Sequence, residues 1–258
     1  MRTPLAPPLP SLAPGQNAIP PLGLKRGGPA VASLLHRVIT AVWRAGSVPA
    51  SWRHALITPL PKKGSRFDRG NYRRISLLDV ESKVYLLVLL ARIRGYLDAC
   101  FLDEQHGFRP NRGPGDGQFC FRRLVEVAAS HAVPVFAGLV DFKQAFDSLD
   151  RATLWALLQA YGVHPKLVAL LQDLYDGSTA SVRANGHTSP PFPVTAGVRQ
   201  GCPLSPTLFN VYMDFVARAF LHQCQQQGLS GFSIAYRPLP SSPSSPSPPL
   251  LRQLALLL

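Results

Sequence analysis

The chain has 258 residues, 46% of them apolar, which suffices for one large domain or two small ones around a buried core. Lys and Arg number 27 against 14 Asp and Glu, and the resulting net charge of +13 points to a polyanionic partner, nucleic acid foremost, rather than a small neutral one. The four cysteines form no C-x-x-C pair, which excludes a zinc ribbon and a dense disulfide framework and suits a reducing compartment; the start Met1-Arg2-Thr3-Pro4 lacks a signal-peptide core and the longest apolar run is only Val84 to Ala91, so secretion and membrane spanning drop out.

Residues 1–30 carry eight prolines and little periodicity, and are expected to be extended or partly disordered. Ser33 can cap a helix whose apolar positions Leu34, Leu35, Val38, Ile39 and Val42 follow helical spacing, with Gly46 as its stop. His54 to Pro61 reads as a strand running into the cationic turn Lys62-Lys63-Gly64, and Ile75 to Leu78 as a second strand able to form a hairpin with it. Helical patterns follow over Val80 to Ala99 and Gly115 to His131. Val135 to Asp141 is an unbroken apolar run of strand length, predicted to be a buried central strand with Asp141 at its tip.

Asp150 caps a helix over Arg151 to Tyr161 that Gly162 stops, and Pro165 opens another running to Tyr175. Ala180 to Ala184 and the Asn185-Gly186 turn predict a hairpin whose second arm is Phe192 to Thr195. Pro206 to Gln227 is the last helical stretch, after which Pro238 to Pro249 is almost wholly Ser and Pro and cannot bury a core.

Three groups of residues could carry chemistry. Asp141 within DFKQAFD, at a strand end, suits a Mg²⁺ ligand; a helix-capping Asp141 with a solvated Asp147 accounts for the heptapeptide equally well. The loop GVRQGCPLSP (197–206) offers two glycines for close backbone approach to a ligand, Gln200 as donor and acceptor, and a helix N-terminus that favours phosphate, although any Gly/Pro-rich loop entering a helix has that composition. Lys62, Lys63, Arg66, Arg69, Arg73 and Arg74 form a basic hairpin that could close over a triphosphate, or simply be a solvated face.

Read in order, KKG…NYRRISLL (62–78), EQHGFRPNRG (104–113), GLVDFKQAFD (138–147), YGVHPKLVALLQDLY (161–175) and GVRQGCPLSPTLFNVYMD (197–214) resemble the reverse transcriptases of non-LTR (LINE-type) retrotransposons, over roughly residues 15–220. The resemblance implies the α+β right-hand polymerase fold, with fingers and a partial palm over 31–235, a Pro-rich segment over 1–30 and a low-complexity tail over 236–258. It implies an RNA-directed DNA polymerase that takes an RNA template, a DNA primer and dNTPs, with Mg²⁺ as cofactor; the expected location is intracellular, nucleus or cytoplasm, without a choice between them. Carried onto this chain, Asp141 resembles the first metal-binding carboxylate and Phe146 the aromatic gate beneath the sugar. Gln200 and Gly201 resemble the motif beside the incoming nucleotide and template base, Lys62 and Arg73 the finger cations on its triphosphate, and Arg109 a finger residue near the template.

One departure bears on activity. The family's next palm motif is an aromatic-x-Asp-Asp hairpin, whereas here all 14 carboxylates lie between Asp68 and Asp214. Two-metal phosphoryl transfer needs carboxylates from two separate segments, so the expectation is a truncated domain unable to polymerise, or a non-catalytic basic RNA- or DNA-binding remnant.

Overall fold

The computed structural model describes residues 14–229 and, beyond them, only the short ladder between Ser233–Ile234 and Arg252–Gln253. The chain divides into two compact units, one comprising residues up to Leu97 together with Phe142–Phe209, the other Asp98–Asp141 together with residues from Asn210 on.

The first unit opens with α1 (Pro21–Arg26) and α2 (Gly28–Ala45), and Gly46 ends α2 in the left-handed conformation that its lack of a Cβ permits, its N–H donating to the Val42 carbonyl at 3.0 Å. Strands β1 (His54–Pro61) and β2 (Tyr72–Leu77) pair antiparallel, Leu56 opposite Leu77 and Pro61 opposite Tyr72. β3 (Thr179–Ala184) joins the other edge of β1 in parallel, His54 opposite Thr179. Helix α3 (Val80–Cys100) buries Tyr85, Leu86, Leu89, Ile93 and Leu97, a stripe at spacings of one to four residues that packs one face inward. α5 (Arg151–Ala160) and α6 (Pro165–Tyr175) supply Leu154, Leu158, Val168, Leu170, Leu171 and Leu174 to the same core. Asp150 accepts the Thr153 N–H at 2.7 Å, and this cap pulls its carboxyl below the usual range.

The second unit holds the end of α3, helix α4 (Pro114–Ser130) and most of α7 (Ser205–Gln226). Fully buried Asp214 on α7 accepts the Leu102 N–H at 2.6 Å and the Arg218 Nε–H at 2.6 Å, while Asn210 Nδ2 donates to the Gly107 carbonyl at 2.8 Å. These bonds pin the irregular segment 101–113 to the helix.

The mixed helix-and-sheet class, the β1–β2 hairpin and the helix positions agree with the sequence reading. Three expectations need correction. Val135–Asp141 is not a buried strand: it has no regular structure, and Phe136, Leu139 and Val140 are 95%, 83% and 77% exposed. An apolar run becomes a strand only where neighbouring backbone takes its N–H and C=O groups, and among the described residues no strand pairs with this one. Residues 21–26 and 28–30 are helical rather than extended, because Pro21 can occupy the first turn of α1 without losing a hydrogen bond, and α2 starts five residues ahead of Ser33; before them the Asn17 N–H is held by Asp79 Oδ1 at 3.1 Å. Across the Asn185-Gly186 turn the arm facing β3 is β4 (His187–Thr188), and β5 (Phe192–Pro193) pairs with the far end of β3 at Thr179 and Ala180. Residues 1–13 and most of the Ser/Pro tail lie outside the described residues.

Candidate functional site

Strand alternation places Tyr72, Arg74 and Ser76 of β2 on one face, which with Ala55 and Ile57 of β1 and Ala180 and Val182 of β3 floors a cleft of about 1090 Å³ in the first unit. Its walls are two loops, one carrying Asp147 and the other Gly197–Gln200. Backbone bonds lock the loops together: the Val198 N–H donates to the Phe146 carbonyl at 2.7 Å and the Gly197 N–H to the Leu149 carbonyl at 2.8 Å. The second loop is tied to the sheet by the Ser76 N–H, which donates to the Gln200 carbonyl at 2.7 Å.

The two glycines of the motif serve this interlock. Gly197 has φ +75° and a Cβ there would stand 2.5 Å from the Asp147 carbonyl oxygen; at Gly201, φ +100°, it would stand 2.9 Å from the Ser76 carbonyl. The sequence suggested close approach to a ligand, whereas the structure shows close approach of the chain to its own backbone.

Asp147 is the carboxylate of the cleft. Burial pushes its carboxyl above the usual range, while Arg74 at 3.8 Å and the Gln200 amide donating at 3.4 Å pull the other way. Arg66, Arg151, Arg183 and Arg199 also line the cleft, and two of these are tied to backbone. Arg199, 7% exposed, donates to the carbonyls of Trp52 at 2.8 Å, Arg53 at 2.7 Å and Leu174 at 3.3 Å. Arg151 donates to the carbonyls of Gly197 at 2.9 Å, Tyr175 at 3.1 Å, Val194 at 2.8 Å and Ala196 at 3.2 Å, and to Ser178 Oγ at 3.2 Å.

Both guanidiniums lie over the Tyr175 ring, at 4.9 Å and 5.3 Å from its centroid. Burial lowers the pKa of each, but a guanidinium keeps its proton at neutral pH. Since carbonyls rather than carboxylates satisfy them, their positive charge is not cancelled locally, and the cleft favours an anion.

The residues singled out from the sequence are only partly brought together. Gln200 lines the cleft, Gly201 is held against β2, and Phe146, half-buried, stacks on Phe209 with centroids 4.9 Å apart and planes 15° apart. Lys62 sits exposed at the hairpin turn with Nζ 3.4 Å from the Gly70 carbonyl. Arg73, exposed, alternates away from the cleft, and its neighbour Arg74 faces Asp147 instead. Arg109 belongs to the second unit and is a brace: 8% exposed, it donates to Asp98 Oδ1 at 2.8 Å and to the carbonyls of Asp98, Leu102 and Gln105 at 2.8, 2.7 and 3.2 Å. Its guanidinium is thereby engaged within the protein.

Asp141 ends the exposed apolar run in the second unit. Among the described residues no group of three or more His, Cys, Asp or Glu side chains converges as a metal site. Sequence reasoning passed over Arg151, Arg199 and Ser76 and set Asp147 aside. Arg199 stands inside the quoted loop motif, but nothing in a linear motif says that its side chain turns inward while that of Gln200 turns to the cleft.

Comparison with known proteins matches residues 60–236 to the family described as reverse transcriptase (RNA-dependent DNA polymerase). A Xenopus laevis protein named the transposon TX1 uncharacterized 149 kDa protein is 32% identical over 69% of this chain and 14% of its own length. The Drosophila melanogaster Pol polyprotein from the type-2 retrotransposable element R2DM is 29% identical over 81% of the chain and 19% of its own length. The RNA-directed DNA polymerase from the Drosophila melanogaster mobile element jockey is 26% identical over 78% and 22% respectively. The chain therefore spans less than a quarter of each of these relatives.

Proposed function

We propose, for a chain that belongs to the reverse transcriptase (RNA-dependent DNA polymerase) family and is homologous to the enzymes of non-LTR retrotransposons, that its cleft receives the triphosphate of an incoming dNTP and its basic surface holds an RNA template with a DNA primer. The observation that carries this reading is the cleft in which Arg74 and Gln200 face one space backed by the guanidiniums of Arg151 and Arg199, whose charge carbonyls rather than carboxylates satisfy, since positive charge attracts phosphate and an amide can pair with a base or sugar edge. Lys62 and Arg73 would contribute from the hairpin outside the wall, and Phe146 would abut the sugar.

Reverse transcriptases use a divalent metal, and Mg²⁺ at Asp141 is the family expectation. The described residues do not fit it: Asp141 is exposed in an irregular segment, Asp147 is engaged by Arg74 and Gln200, and Asp214 is buried against Leu102 and Arg218. We therefore assign this chain, taken alone, binding of nucleotide and template rather than nucleotidyl transfer.

Equilibrium dialysis of a radiolabelled dNTP against the full chain tests the cleft. Arg74→Ala and Gln200→Ala should each weaken binding about tenfold, and inorganic triphosphate should compete. Unchanged affinity in both variants would overturn the assignment. Primer extension on RNA template that the wild type performs and Asp141→Ala loses would overturn the restriction to binding.

A further inference from the structure

The turn between β1 and β2 presents one side chain whose exposure the nucleotide cleft does not use. Phe67 is 99% exposed, the most exposed large apolar residue among those described. It does not sit on a loose loop. The Phe67 N–H donates to Ser65 Oγ at 3.2 Å, the Tyr72 hydroxyl to the Arg66 carbonyl at 2.8 Å, and Asn71 Nδ2 to the Ser65 carbonyl at 3.0 Å. The Lys62 N–H closes the base of the turn on the Asn71 carbonyl at 2.6 Å.

The same turn carries exposed Lys62, Lys63 and Arg66, and the local acid, Asp68, has its Oδ1 occupied by the Gly70 N–H at 2.8 Å. Arg66 and Phe67 also reach the rim of the cleft. A fastened aromatic, bare to water on a turn that also presents cations, fits a partner with flat π-faces strung on a polyanion: an unpaired stretch of nucleic acid. Duplex would satisfy the cations but has no free base face to offer the ring, and a polyanionic protein surface would not explain the planar group.

We propose that Phe67 is a stacking platform for an unpaired base of a single strand that the flanking cations track along its backbone. The proposal rests on the reading above that the basic surface holds nucleic acid, and it adds the residue and the single-stranded character of what is held.

The test is fluorescence-anisotropy binding of the full chain to a thymidine oligonucleotide of about 12 nucleotides, within the site sizes of single-strand binders. An abasic strand of equal length and charge, and the uridine counterpart, complete the set. Phe67→Ala should weaken binding to the thymidine strand about fivefold or more and leave the abasic strand unaffected. Phe67→Trp should retain affinity, and its emission should respond to the base-bearing strand alone. Similar loss on thymidine and uridine strands means that the base face is read without regard to sugar; loss confined to one identifies the strand held. Wild-type affinity in Phe67→Ala, or equal loss on the abasic strand, would overturn this proposal while salt-sensitive binding leaves the nucleic-acid reading standing. Absence of binding to either strand at low salt would overturn both.

Discussion

Gly197→Ala isolates what the interlock of the two cleft loops contributes. The backbone at Gly197 has φ +75°, so any side chain there meets the left-handed penalty of about 1–2 kcal/mol. The new Cβ would also stand 2.5–2.6 Å from the O, C and Cα atoms of Asp147, all backbone, which cannot swing aside as a side-chain end can. Relieving such overlap by moving a loop costs about 1–3 kcal/mol, for a total of about 2–5 kcal/mol. Gly186 provides the control, because its φ is +78° but nothing lies within 4 Å of its built Cβ, so Gly186→Ala should show the conformational part only. Urea unfolding of the two variants, at matched m-values, should place Gly197→Ala lower in midpoint by the equivalent of about 1–3 kcal/mol. Equal midpoints would refute the interlock.

Asp147→Asn should stabilise the chain at neutral pH, because it removes a partly buried charge whose ion pair with half-exposed Arg74 is long, at 3.8 Å, and worth at most about 1 kcal/mol. The sign of the pH effect follows from the raised folded-state pKa: the folded chain holds the proton more tightly, so the side chain's favourable contribution is complete below 3.8 and is lost as pH rises through the folded value. Wild-type minus Asp147→Asn stability, measured by urea unfolding from acid to neutral pH, should fall in that direction, and a rising difference would contradict the burial assigned to Asp147. Arg109→Met should lower stability by about 2 kcal/mol by leaving the carbonyls of Leu102 and Gln105 without their donor. The same substitution should not alter the salt dependence of nucleic-acid binding, whereas a template-contacting arginine would reduce that slope.

Helices were legible in the sequence because their determinants are local: Asp150 ahead of an apolar stripe, Pro165 at a first turn, Gly46 after a last one. The basic hairpin and the Gln200 loop were legible as motifs. Which side chains enter the cleft was not, since Arg73 and Arg74 are adjacent cations that only β2's pairing with β1 separates onto opposite faces. Arg109 read as a residue near the template and Arg199 was passed over, yet both donate to carbonyls, of a segment brought near by a turn for Arg109 and of segments distant in sequence for Arg199. Val135–Asp141 shows the limit from the other side, because an apolar composition states that a segment seeks burial but not that a partner strand will be beside it.

The order of residues alone determined the family, through motif blocks in sequence, and the mixed helix-and-sheet class, the anionic preference and the positions of the helices beyond residue 33, which depend on composition or on neighbours within a few residues. Tertiary structure alone decided that Asp147 faces Gln200, that Gly197 and Gly201 touch protein backbone, and that Arg74 is the hairpin cation turned to the cleft. Each of those depends on which distant segment occupies the space beside a residue, and that is set by chain packing rather than by local preference.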